Sequence, residues 1–150
     1  MKNALKLMAL ITLLMVQACN NNDCEGLDCF TQPTAFVFEI VDRDTGENLF
    51  TNGTYNPGQI QVLNAEDNSN REFDFISENN KNLIRIGSIG WESEIAEVVL
   101  KIGGEDILNL YVDTERVTEN CCNFSKYNKI IIENASYEFD KQTFIYTVYI

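Results

Sequence analysis

Four cysteines, Cys24, Cys29, Cys121 and Cys122, are the side chains whose type and spacing most directly suggest chemistry. Four thiols allow three pairings. Two of these tie the N-terminal pair to the C-terminal pair, closing loops of roughly 90 residues, worth about 3–5 kcal/mol in the chain-entropy picture. The third joins Cys24 to Cys29 and Cys121 to Cys122, and neighbouring cysteines can pair only through a strained ring. A four-thiolate metal site is the competing chemistry. Four residues between the first two cysteines and none between the last two is the wrong spacing for a zinc ribbon. The sequence contains no histidine. That removes Ser-His-Asp and Cys-His catalysis and every His-ligated metal site. No catalytic residue is assigned, and a non-enzymatic protein without cofactor is expected.

The remaining chemistry rests on carboxylates and aromatics. Asp42, Asp44 and Glu47 crowd one short stretch and are weak calcium candidates, since hard cations want several oxygens on one loop. Gly46 stands at the fifth position and no bidentate Glu closes the loop, so a plain Asx-type turn is the stronger expectation. Paired carboxylates for glycoside hydrolysis are conceivable in so acidic a chain, but nothing singles out two of them. Tyr55, Trp91, Tyr111, Phe124 and Tyr127 could form a platform for a sugar or peptide on an outer face. Trp91, Phe124 and Tyr127 are the binding candidates, with 120–128 read as a long loop forming a binding edge. The plainer expectation for Trp91 is a core position, because buried Trp is common in sandwiches.

These residues must be positioned by strands. From Ala35 onward the apolar pattern has period two. Phe36, Phe38 and Ile40 alternate with Val37, Glu39 and Val41; Ala96, Val98, Leu100 and Ile102 with Glu97, Val99 and Lys101; Leu108, Leu110 and Val112 with Asn109, Tyr111 and Asp113. Ile60 and Val62, Phe73 and Phe75, Ile84 and Ile86, Ile130 and Ile132, Tyr137 and Phe139, and Phe144 to Ile150 continue the series. β-branched and aromatic residues fill these runs. Turn residues separate them, among them Asp44-Thr45-Gly46-Glu47, Asn56-Pro57-Gly58 and Gly103-Gly104. Gly103-Gly104 predicts a hairpin, and Asp140 to Gln142 predicts another. The expectation is an all-β, antiparallel two-sheet sandwich of about seven to nine strands, Ig-like or transthyretin-like, over residues 34–150. The last run predicts a strand paired inside a sheet. The stretch Asp42, Thr45, Gly46, Glu47 and Leu49 resembles the first hairpin of transthyretin-like and collagen-adhesin B-type sandwich repeats, over residues 36–62. The resemblance implies the fold and no ligand.

The N-terminus addresses the protein. Lys2 and Lys6 precede an apolar run from Leu7 to Val16, which is too short for a membrane span. Val16, Ala18 and Cys19 resemble a bacterial lipobox. That implies a signal peptide over residues 1–18, cleaved before Cys19, and acyl chains (palmitate among them) on Cys19 as a membrane anchor. Residues 19–33 read as the lipidated cysteine and a polar, flexible tether. Asn20, Asn21, Asn22 and Asp23 partly resemble surface-export signals of Bacteroidota lipoproteins, so the outer-membrane face, surface or periplasmic, is left open. Removing the leader leaves nine basic and 23 acidic side chains, a formal charge of −14. Such a surface disfavours nucleic acid and anionic headgroups and suits either simple solubility or a cationic partner. Taken whole, the chain resembles the small lipoproteins of Bacteroidota, particularly the flavobacterial kind. The resemblance implies a membrane-anchored protein of the cell envelope at the outer membrane. The expected role is a non-enzymatic binding or assembly module for an envelope protein or glycan. A periplasmic inhibitor or immunity-type lipoprotein against a cationic toxin is the alternative, and a carboxylate-dependent glycosidase the remote one.

Overall fold

The computed structural model describes residue 29 and residues 31–79, 81–119 and 121–150. The leader, Cys19, Cys24 and the tether before Cys29 lie outside the described residues, as does Asn120 at the start of the expected binding loop.

Among the described residues nine strands form: β1 (Phe36–Val41), β2 (Ile60–Asn64), β3 (Asp74–Glu78), β4 (Lys81–Ile86), β5 (Glu94–Ile102), β6 (Glu105–Glu119), β7 (Cys122–Glu133), β8 (Ser136–Asp140) and β9 (Ile145–Tyr149). They make two sheets, ordered β3-β4-β1-β9-β8 and β2-β5-β6-β7. The all-β two-sheet sandwich read from the alternation is the architecture observed. Among the described residues no helix is long and apolar enough to cross a membrane.

Alternation puts one row of each strand between the sheets. Phe36, Phe38 and Ile40 of β1, Ile84 and Ile86 of β4 and Val148 of β9 are buried against the opposite sheet's Val62, Val98, Leu100, Ile102, Leu108, Leu110 and Val112. Each such large side chain contributes about 1.5–3 kcal/mol on full burial. Gly103 and Gly104 join β5 to β6 with φ of 63° and 89°, the left-handed pair a two-residue hairpin requires. The alternating run from Ala96 to Ile102 lies in strand β5.

Three features depart from the expectation. First, the sandwich is not purely antiparallel: β9 runs parallel to β1, with Phe38 opposite Tyr146 and Ile40 opposite Val148. The alternation marks strand faces and carries no information on strand direction. Second, the turn after β1 forms, with Asp42 N–H donating to the Glu47 carbonyl (2.9 Å) and a single bridge between Val41 and Asn48, but β2 then pairs with β5 in the other sheet. The stretch 36–62 is therefore a crossing between sheets and not a hairpin of β1 with β2. Third, the 120–128 region is not a long loop. β6 and β7 run on past a bulge at Asp113/Thr114 as a twisted ribbon, with Glu119 opposite Cys122.

The ribbon is clasped from upstream. Cys29 is disulfide-bonded to Cys122, with Cα atoms 4.6 Å apart. Cys121 is disulfide-bonded too, and its partner lies outside the described residues. Of the open thiol options, the one actually seen links the N-terminal segment to the Cys121-Cys122 pair, in place of a Cys29-containing metal site. Thr31 N–H donates to the Asn123 carbonyl (3.4 Å), and the Arg116 guanidinium donates to the carbonyls of Thr31 (3.1 Å) and Asn123 (3.3 Å) and to the Ser125 hydroxyl (2.8 Å). The backbone expected as free tether up to Pro33 is thus held to the body from Cys29 onward.

Candidate functional site

The two sheets are unequal, five strands against four, and the wider sheet overhangs at β8. β8 pairs only with β9, placing Tyr137 beside Val148 and Phe139 beside Tyr146 on the inward face. Opposite them stands β7, the edge strand of the narrower sheet, whose Ile132 is buried while Ile130, two residues earlier, is 42% exposed. The sandwich is therefore unsealed along this side. Tyr137, Phe139 and Phe144 point inward by register or proximity yet stay 41%, 39% and 55% exposed. Their rings are ordered against one another: Phe139 stacks on Tyr146 at 4.4 Å, Phe144 meets Phe139 edge-on at 6.2 Å, and Tyr137 lies 5.9 Å from Tyr146. Between the two strands opens an apolar cleft of about 190 Å³, floored by Phe36 and walled by Tyr127, Ile130, Phe139, Phe144 and Tyr146. Its volume is below that of a small-molecule pocket; ordered rings standing open on a charged protein make it the candidate recognition site.

Burial raises the pKa of the Tyr146 phenol, with the neighbouring Tyr137 adding to it. Burial likewise raises that of Tyr127, although its hydroxyl donates to the Thr34 carbonyl at 3.2 Å. Both hydroxyls stay neutral at physiological pH, so the cleft offers rings and apolar carbon and no charge.

The predicted binding residues divide. Tyr127 is no free platform: it packs edge-on against Phe36 at 6.0 Å and forms a wall of the cleft. Trp91 is not a core residue, since it is 46% exposed. Gly90, at φ 91° and packed within reach of the Tyr127 hydroxyl, Pro33 and Ser125, turns the chain outward there, and Trp91 Nε1 donates to the Gly87 carbonyl at 2.9 Å. The ring borders a second, polar cavity of about 440 Å³ with Gln32, Asp74 and Arg85. Phe124 sits half-buried in the ribbon opposite Val117 and lines neither cavity. Tyr55 is packed beside Phe50 at 5.9 Å, and Tyr111 lies under the Lys129 ammonium at 5.4 Å. Nothing in the bare sequence separated Phe139 and Phe144 from core aromatics; what exposes them is the unequal strand count of the two sheets.

The carboxylate candidates serve turns. Asp42 Oδ1 accepts from the backbone N–H groups of Asp44 (3.1 Å) and Thr45 (2.8 Å) and from the Thr45 hydroxyl (2.8 Å). These bonds lower its pKa, as the Ser69 bonds do for Asp67 and the Gln142 and Thr143 bonds for Asp140. Asp42, Asp44 and Glu47 do not converge, and among the described residues no three Cys, Asp or Glu groups are gathered to hold a metal ion. A glycosidase acid needs a raised pKa, and every displaced aspartate here moves the other way.

Comparisons of the chain with protein-family models, curated proteins and solved structures find no match. The cleft and its chemistry therefore carry the functional reading alone.

Proposed function

We propose that the chain is a membrane-anchored envelope lipoprotein, held by Cys19, whose sandwich is a non-enzymatic binding or assembly module at the outer membrane. The observation supporting the binding role is the aromatic cleft between β7 and β8, where ordered rings stand open at the unequal edge of the two sheets. An apolar group of a partner displaces water from Phe139, Phe144 and Ile130 on entering it. The leader and the residues around Cys19 support the address, and the Cys29–Cys122 bond fits an oxidising compartment.

A photo-crosslinking residue placed at Phe144 in intact cells tests this reading, with the same residue at Glu66, on the far loop, as control. The expected result is a discrete crosslinked species from position 144 only. Equal products from both positions, or none from either, would remove the cleft as a binding site. Labelled palmitate and a Cys19→Ser variant test the anchor separately: loss of label and of membrane fractionation is expected.

The excess of acidic side chains favours a second reading, an inhibitor of a cationic periplasmic toxin. Protease added to whole cells separates the two placements. A surface module is digested, whereas a periplasmic inhibitor is spared until the outer membrane is opened.

A further inference from the structure

We infer that the partner enters as an extended strand that adds to the free edge of β8, with apolar side chains in the cleft and basic ones on the outer face. The inference rests on the cleft being a binding site.

The backbone polarity of β8 follows from its neighbours. Ile150 N–H donates to the Val41 carbonyl (3.0 Å), and the Ile150 carbonyl accepts from Arg43 N–H (2.9 Å). Residue 150 therefore turns its backbone groups toward β1, and by strand alternation Tyr149, Thr147 and Ile145 turn theirs toward β8. Their partners Ser136, Glu138 and Asp140 close the ladder. Tyr137 and Phe139 are left with N–H and C=O directed away from the sheet. Phe139, whose ring walls the cleft, and Tyr137, on the same inward row beside it, are thus the residues that offer unpaired backbone along this edge. A strand pairing there would satisfy those groups and set every second side chain beside the rings, which is the geometry of strand addition.

The other edges are occupied or guarded. The β2 edge is covered by the following loop, with Arg71 N–H donating to the Val62 carbonyl (2.8 Å). The upstream end of β7 is taken by residues 29 and 31, and Lys126 and Lys129 stand along it. β3 is an edge, but its Phe75, and Phe73 just before it, pack against the core. Among the described strands β8 alone joins an open backbone to an unpacked aromatic row.

Charge chooses the occupant. The outward row of β8 is Ser136, Glu138 and Asp140, and the chain carries 23 acidic against 11 basic side chains. A second copy added antiparallel about the centre of β8 would set Glu138 against Glu138, which is unfavourable. A strand alternating Lys or Arg with aliphatic or aromatic residues matches both rows.

The test uses the full-length protein and a blocked heptapeptide alternating lysine with valine and phenylalanine, followed by fluorescence anisotropy of a labelled peptide. The same peptide with glutamate for lysine, and a scrambled lysine peptide lacking the alternation, are the controls. Tighter binding of the alternating basic peptide is expected, weakening as salt is raised. Glu138→Lys should weaken it about tenfold or more. Phe139→Pro removes the outward N–H without touching the β8–β9 ladder and should abolish binding, whereas Phe139→Leu, which keeps that N–H and loses only the ring in the cleft, should weaken it by about three- to tenfold. Urea melts of the variants establish that each is folded. Equal binding of acidic and basic peptides overturns the charge argument, and retained binding by Phe139→Pro overturns strand addition. A dimer in sedimentation that Phe139→Pro dissolves identifies a second copy as the occupant and refutes the inference. Crosslinking from Phe144 without any binding of the alternating peptide refutes the inference while leaving the cleft in place.

Discussion

Replacing Cys122 with serine should lower stability by far less than the length of the loop it closes suggests. The Cys29–Cys122 bond spans 93 positions, and closing a loop of that size removes about 4.6 kcal/mol of unfolded-state freedom at 25 °C in the chain-entropy picture. Cys121 is disulfide-bonded as well, and with Cys19 proposed for lipid its expected partner is Cys24. Two bonds between the same short segments are not additive. Once either has closed the long loop, the other closes only a ring of roughly six or seven residues, contributing about 2 kcal/mol by the same relation. Cys122→Ser should therefore lose about 2 kcal/mol and full reduction about 6–7 kcal/mol, against a total of roughly 5–15 kcal/mol for a domain of this kind. Urea melts of the oxidised protein, the variant and the reduced protein check this. With a slope of about 2 kcal/mol/M, the midpoint should fall by about 1 M for the variant and about 3 M on reduction. A variant that melts as early as the reduced protein would show that the second bond closes nothing. A reduced protein that melts with the oxidised one would show that the hydrogen bonds from Thr31 and Arg116 hold the segment without any help from sulfur.

Phe38 is fully buried between the sheets, and Phe38→Ala should cost about 3–5 kcal/mol, read as a drop in urea midpoint with unchanged slope. Thr114 is buried with no hydrogen-bond partner for its hydroxyl, so Thr114→Val should stabilise by about 1 kcal/mol in the same assay. The phenols of Tyr127 and Tyr146 have raised folded-state pKa values, so the unfolded chain loses those protons first. Their contribution is intact below the ordinary tyrosine value and is lost as pH rises through the folded one; thermal melts above about pH 10 should fall more steeply for the native protein than for a Tyr127→Phe, Tyr146→Phe double variant.

The buried rows were legible because burial on one face forces a period of two, and Phe36, Phe38 and Ile40 or Leu108, Leu110 and Val112 follow it, with only Val41 and Ile107 buried out of step at the strand ends. The Gly103-Gly104 hairpin and the Asp42 turn were legible because local backbone geometry demands those residue types. Alternation could not say that β9 runs parallel to β1, since pairing partners more than 100 residues apart leave no local trace. It also marked Tyr137 and Phe139 as inward without saying whether an opposite sheet reaches them. That depends on counting strands per sheet, a property of the whole topology. The ribbon of β6 and β7 was misread because its far half, beyond Thr114, has no apolar face to bury and so resembles a loop in composition. The core position expected for Trp91 failed for the complementary reason: Gly90 turns the chain outward, and a left-handed glycine is visible in a sequence only as a glycine.

The clasp on the ribbon also sets how far the body can stand from a bilayer under the proposed anchor. A chain spans at most about 3.3–3.6 Å per residue. Were the tether free up to Pro33, fourteen residues beyond Cys19 would allow a reach of about 50 Å; held at Cys24 by the expected bond to Cys121, five residues allow about 17 Å. Breaking the clasp by Cys24→Ser and Cys29→Ser with Arg116→Ala should therefore lengthen the leash without disturbing the sandwich core, which the Cys29 and Arg116 side chains do not enter. Energy transfer from Trp91 to a dansyl-labelled lipid headgroup in vesicles reads the change, since Trp91 is the sole tryptophan. The oxidised native protein should give the stronger transfer and the triply substituted protein a weaker one, with far-UV spectra unchanged. Equal transfer from both would mean that the body rests against the membrane through its own surface. The length of the tether would then have no part in placing the aromatic cleft.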